Sequence, residues 1–262
     1  MSKETVRREF GANAAAYVSS APHAKGASLE RLVALTRPQA GWRVLDLATA
    51  AGHTALAFAP HVAHVVGADL TPEMLPLALD LAAGRGVANL SAAVADVEDL
   101  PFAGGAFDLV TCRIAPHHFP DICHFVMEAA RVVTGGGLLA IVDNIVPGSR
   151  LRGKKADQVR LAGEYVNAFE KLRDPSHNRC LSRDEWLDAL AAAGLVLVHE
   201  ERLDKRISFE SWAARHTLEM RTRLKVMLLQ APEAAAVFLD PRVEGDLTSF
   251  RLQEGLFIAR RP

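Results

Sequence analysis

Three short apolar runs in this sequence end in the same way, and that repetition constrains the fold more than any other feature. Arg43 to Leu47 carries Asp46 and opens into the small-residue turn Ala48 to Gly52, His64 to Ala68 ends at Asp69, and Leu90 to Ala95 precedes Asp96. Each run has the length and composition of a strand, and helical patterns lie between them. Thr54 to Ala59 reads as a helix until Pro60, and a second helix is expected from Thr71. There Thr71 suits the N-cap, Pro72 the first helical position and Glu73 the positive end of the helix dipole. Pro76 sits less comfortably, since it forfeits a backbone hydrogen bond and invites a kink. Phe107 to Cys112 supplies a fourth strand and Leu138 to Val142 a fifth. Between these two, Ile122, Phe125, Val126, Ala129 and Val133 share one helix face that Gly135 to Gly137 ends. Such alternation predicts an α/β fold with a parallel sheet covered by helices.

The flanks are less regular. Leu29, Leu32, Val33 and Leu35 mark a helix before Pro38, and the charged stretch Ser149 to Arg173 reads as a helical insertion rather than another βα unit. Ser182 and Glu185 form a capping box with Leu181 and Trp186 as its hydrophobic staple, and Gly194 closes that helix. Leu195 to His199 is expected as a sixth strand, Gly255 to Arg260 as the last, and helices from about Phe209 to Gln230 between them. The chain thus divides into residues 1–146 (N-terminal helices and core), a cap insertion at 147–181, and 182–262. That last part completes the core and carries a helical insertion at about 207–250 on the substrate side.

Composition excludes several functional classes. Half of the 262 residues are hydrophobic, and 30 Lys plus Arg face 31 Asp plus Glu, so no net charge draws the chain to nucleic acid or to an anionic membrane. Cys112, Cys123 and Cys180 form no C-x-x-C pair, which argues against a disulfide framework or a cysteine zinc site. The first ten residues lack an apolar signal region. Leu47 to Ala68 carries no formal charge, yet Gly52, His53, Pro60, His61 and His64 divide it into short elements. A cytoplasmic location is expected.

In a doubly wound sheet, ligands bind beyond the carboxyl ends of the strands. Small side chains from Ala48 to Gly52 let backbone approach a ligand, and the helix start beyond them offers free N–H groups. Asp69 is placed to accept two ribose hydroxyls, and Asp96 with Val97 to read an exocyclic amine and a ring nitrogen. G-x-G-x-x-G is absent, which disfavours a nicotinamide cofactor. His117 and His118 follow the fourth strand, where either serves as a general base or merely packs the turn. Asp143, His177 and His23 are the further candidates for a base. A zinc site on His117, His118 and His124, or on His61 and His64, lacks a diagnostic ligand spacing. The basic stretch Arg150 to Lys155 reads as a solvated helix start.

At these residues the sequence resembles the class I S-adenosylmethionine (SAM)-dependent methyltransferases, and among them the small-molecule group akin to the ubiquinone and menaquinone methyltransferases. Val44 to Gly52, Val66 to Leu75, Asp96 to Phe102, Phe107 to Val110 and Arg131 to Gly137 carry the likeness, which covers roughly residues 40 to 145. It implies a Rossmann-like, doubly wound, mostly parallel seven-stranded sheet with helical N-terminal and cap segments. By the same resemblance, Ala48, Thr49 and Gly52 wrap the methionine part of SAM, with Asp46 near its ammonium. Asp69 holds the ribose, Leu70 and Met74 flank the adenosine, and Asp96 with Val97 reads the adenine. Arg113 lines the methionine end, and Tyr17 reaches over from the N-terminal segment. Ala48 and Ala50 stand where the family commonly keeps glycine, a change that costs little at negative φ and is strained at positive φ. The implied activity is methyl transfer from SAM, yielding S-adenosylhomocysteine, to an oxygen or carbon of a small organic acceptor, with His118 or His117 as base. No metal, nucleic acid or membrane partner is implied, and a homodimer is compatible with it. A SAM-binding protein without methyl transfer and a nicotinamide-dependent oxidoreductase are the alternatives.

Overall fold

Apolar runs become strands where both faces can be covered. In the computed structural model, which describes residues 3–12 and 26–262, β1 (Arg43–Leu47) has every residue after Arg43 buried, and β4 (Phe107–Arg113) is nearly as enclosed. β2 (His64–Asp69), β3 (Leu90–Val94) and β5 (Val133–Ile145) complete a set in which β1 pairs in parallel with β2 and β4, β2 with β3, and β4 with β5. Helices α1 (Lys3–Ala12), α2 (Ala27–Thr36), α3 (His53–Phe58), α4 (Met74–Gly84) and α5 (Ile122–Val132) accompany them. Then follow α6 (Lys154–Arg173), α7 (Arg183–Ala192), β6 (Val196–Ser208), α8 (Phe209–Trp212), α9 (Leu218–Leu229), α10 (Glu233–Leu239), β7 (Arg242–Glu244) and β8 (Leu247–Arg260). The strand order is β3-β2-β1-β4-β5-β8-β6, and β7 pairs with β8 off this path, so the described residues form an eight-stranded sheet. The seven strands of the main path correspond to the expected sheet, and β7 is an addition.

Several expectations need correction. Helix α4 starts at Met74 and not at Thr71, after a turn in which the Met74 and Leu75 N–H groups donate to the Thr71 and Pro72 carbonyls. Pro76 therefore falls in the first turn, where an N–H has no intrahelical partner, and the expected loss of a hydrogen bond does not arise. Strand β5 begins at Val133 instead of Leu138, because the glycine run lies within it. Between Phe107 and Leu109 the register on β5 jumps from Val133 to Leu138, and the residues between form an irregularity. A Cβ at Gly137 would lie 2.7 Å from the Asp108 carbonyl oxygen, so only glycine fits. The helices expected from about Phe209 to Gln230 are α8 and α9, separated at Ala213 to Thr217 with Thr217 capping α9, whereas β6 and β8 run far beyond the short strands expected.

The capping box forms as read. The Glu185 carboxylate accepts from Ser182 N at 2.8 Å, and Glu185 N donates to Ser182 Oγ at 3.3 Å. At the other end of α7, Gly194 takes φ +74, and its N–H and that of Leu195 donate to the Ala191 and Leu190 carbonyls, the Schellman pattern.

The chain falls into two compact units, one of residues 1–143, 189–201 and 256–262, the other of residues 144–188 and 202–255. An aliphatic core holds the first, with Leu32, Val44, Val65, Leu109, Val142 and Ile258 buried together. Each such side chain stabilises by about 1.5–3 kcal/mol when fully buried. The second has an aromatic core in which Phe169 stacks on Trp212 at 4.8 Å and Phe250 meets Trp212 edge-on at 5.1 Å. No helix of the described residues is long and apolar enough to cross a membrane.

Candidate active site

The strand order reverses between β1 and β4, and a crevice opens beyond the carboxyl ends of the strands at such a switch point. Here it is a cleft whose wall includes Asp46, Thr49, Asp69, Asp96, Arg113 and His118. Asp46 is buried at its floor. One carboxylate oxygen accepts from Thr49 Oγ1 at 2.7 Å and Ala55 N at 3.2 Å, the other from Thr111 Oγ1 at 2.8 Å. Burial pushes its pKa up to about 6, against the hydroxyl donors and the Arg113 cation, which pull it down.

Asp69 ties the first two strand ends together. Its Oδ2 accepts from Ala50 N at 2.9 Å and its Oδ1 from Thr71 N at 2.8 Å. Burial raises its pKa too, with those N–H donors opposing. The turn it supports is under strain: Ala48 has φ +52 and Ala50 φ +46, the costlier of the two cases foreseen for these alanines. Gly52, at φ +80, is required twice over, since a Cβ there would lie 2.9 Å from that of Ala78. Ile114, a β-branched residue on the same cleft wall, has φ +54. Each such residue costs on the order of 1–3 kcal/mol, and strain of this kind gathers where ligands bind.

The other expected site residues fall as follows. Leu70, Val97 and Asp96 line the cleft; Met74 is wholly buried and is not on its wall. Arg113 is buried, with Nε donating to Thr54 Oγ1 at 3.2 Å. His118 is on the wall, whereas His117 is not and instead holds Asp143 through Nδ1 at 2.6 Å. Tyr17 and His23 lie outside the described residues. His177, in the second unit, bonds Asn167 Oδ1 at 2.9 Å. Arg150, from the basic stretch, pairs with Asp188 at 2.6 Å.

Sequence reasoning missed four groups. Thr111 becomes a ligand of Asp46 because the parallel register sets the two side by side, and Thr54 is recruited by Arg113. Lys3 of α1 lines the cleft and contacts Asp96 at 2.6 Å and Glu98 at 2.7 Å. Ile114 carried no signal, since nothing in an isoleucine announces a positive φ.

Fold and cleft together define the class: the chain is a class I SAM-dependent methyltransferase. A family model described as a methyltransferase domain matches residues 45–141. An uncharacterized methyltransferase of Bacillus subtilis, YcgJ, is 36% identical over 206 residues, which is 79% of this chain and 78% of the relative. A Bacillus halodurans protein assigned to the methyltransferases has a crystal structure that superposes with a TM-score of 0.83 at 35% identity, over 90% of this chain and all of that one. The demethylmenaquinone methyltransferase of Thermus thermophilus is 39% identical over 115 residues, 43% of this chain and 52% of that relative.

Proposed function

We propose that the protein methylates an oxygen or carbon of a small organic acceptor, with SAM bound along the strand ends and His118 as the base. The carrying observation is the single cleft that gathers Asp46, Asp69 and Asp96 with His118 on the same wall. The residues fit the cofactor's polarity. Asp46 and Asp69 offer buried carboxylate oxygens to an ammonium and to ribose hydroxyls, Asp96 offers a half-buried carboxylate to an exocyclic amine, and Val97 offers a backbone N–H to a ring nitrogen. The tight turn at Ala48 to Gly52 lets backbone approach the methionine part. Bound there, SAM supplies an electrophilic methyl group on a sulfonium. His118 would take the acceptor's proton, a contribution of about 10² to 10⁴ in rate for one positioned base. Apolar wall residues such as Ile114 and Phe119 would exclude water and hold the acceptor in line. Likeness to a demethylmenaquinone methyltransferase supports a small acceptor.

Calorimetry with SAM, S-adenosylhomocysteine, NAD(H) and NADP(H) tests the cofactor assignment. Heat with the first two and none with the nucleotides is expected, and the reverse would discard it. Mass spectrometry of small molecules copurifying with the protein then identifies the acceptor. If every methylatable acceptor so found leaves SAM unconsumed, the protein binds SAM without transferring its methyl.

A further inference from the structure

His118 faces the cleft, and His117 packs on it with ring centroids 4.2 Å apart and planes inclined by 44°. From its other side His117 reaches Asp143, whose side chain is 1% exposed. Among the described residues, Asp143 Oδ2 has no hydrogen-bond partner. An ionised carboxylate can only accept, so the 2.6 Å contact puts a proton on His117 Nδ1. A buried carboxylate also demands a counter-charge, which favours a second proton on the far nitrogen of His117. The imidazolium so formed disfavours another positive charge on the ring beside it. Two imidazoles this close take up protons in successive steps.

We infer that Asp143 and His117 form a positioning pair that draws the first proton to His117 and leaves His118 neutral, free to accept a proton where a lone imidazole would already be charged. The functional use rests on the reading of His118 as base, whereas the order of protonation does not. The Arg113 cation and the Asp46 carboxylate share the cleft wall with His118, and Lys3 is paired with Asp96 and Glu98. Asp121, at the start of α5, is engaged by His124 at 3.1 Å. Burial and nearby carboxylates push the Cys112 thiol up, so it stays uncharged.

Histidine-labelled full-length protein, followed by ¹⁵N NMR between about pH 5 and pH 9, tests the order directly, with His117→Gln and His118→Gln assigning the resonances. His117 should titrate above His118 by more than about one pH unit. Asp143→Asn should lower the His117 midpoint and raise that of His118, and His117→Gln should raise His118 alone. A His118 midpoint that is the same in the parent and both variants, or that lies above that of His117, would overturn the inference. If Asp143→Asn does not fold, His117→Gln decides. The titration needs neither cofactor nor acceptor, so a chain that proved unable to transfer methyl would leave this result standing, and the two readings fail separately.

Discussion

The two units bury different things. In the first, carboxylates, a guanidinium and three imidazoles, those of His53, His117 and His118, are buried near the ends of strands, beside non-glycine residues at positive φ. In the second, the largest buried groups are aromatic rings, and ion pairs such as Arg150 with Asp188 and Arg206 with Asp240 stay near the surface. Its buried histidine, His177, is locked by Asn167. Positive φ also occurs away from the cleft, at Arg37 and Asp240, but these are helix C-caps, where the left-handed conformation is ordinary. Ala48, Ala50 and Ile114 cap nothing. The contrast teaches that strained, non-capping backbone is kept where a ligand must be received, while the other unit, although it too buries carboxylates at Glu170 and Glu254, is held chiefly by aromatic packing.

The difference can be broken first where packing dominates. Phe250→Ala should destabilise the protein by about 3–5 kcal/mol in chemical denaturation, because a fully buried ring leaves a cavity against Phe169 and Trp212. A loss below about 1 kcal/mol would mean that this core relaxes freely.

Next in size is a pH effect confined to the cleft. Burial lifts Asp46 to about 6 from an ordinary carboxylate value of 3.8. The folded state then holds a proton that the unfolded state has released between these values, so this group makes the protein less stable as pH rises through that window. The full swing is on the order of 3 kcal/mol and is present above about pH 6. Asp46→Asn should flatten that part of the stability curve. In the proposed function the ionised form holds an ammonium, so SAM affinity should fall as pH drops below about 6 in the parent.

Asp69→Ala sharpens the comparison further. It removes an acceptor of both turn N–H groups and the proposed ribose ligand, at about 1.5–3 kcal/mol for each charge-assisted bond. Calorimetry should show S-adenosylhomocysteine binding weakened at least about tenfold, and unchanged affinity would remove Asp69 from the site. The smallest effect concerns strain. Ala50→Gly relieves a left-handed alanine, offset in part by greater freedom of the unfolded chain, and should stabilise by a few tenths to about 1 kcal/mol. Loss of stability would show that the Ala50 methyl makes a useful contact.

What the sequence determined by itself was local. Strand-helix alternation, the capping box at Ser182 and Glu185, the Schellman end at Gly194 and the three aspartates near strand ends follow from residues within a few positions of one another, where periodicity and caps act. Even the two conformational cases for Ala48 and Ala50 could be stated beforehand. Which case held, however, depended on Asp69 drawing the Ala50 N–H across from another strand. The tertiary structure likewise decided that Thr111 lies beside Asp46, that Lys3 reaches Asp96, that Asp143 rather than solvent faces His117, and that the last strands run long. These are matters of register and burial between residues far apart in the chain, 93 positions in the case of Lys3 and Asp96. A chain specifies such contacts only through the packing of the whole, because the energy of each depends on the water that folding removes from around it.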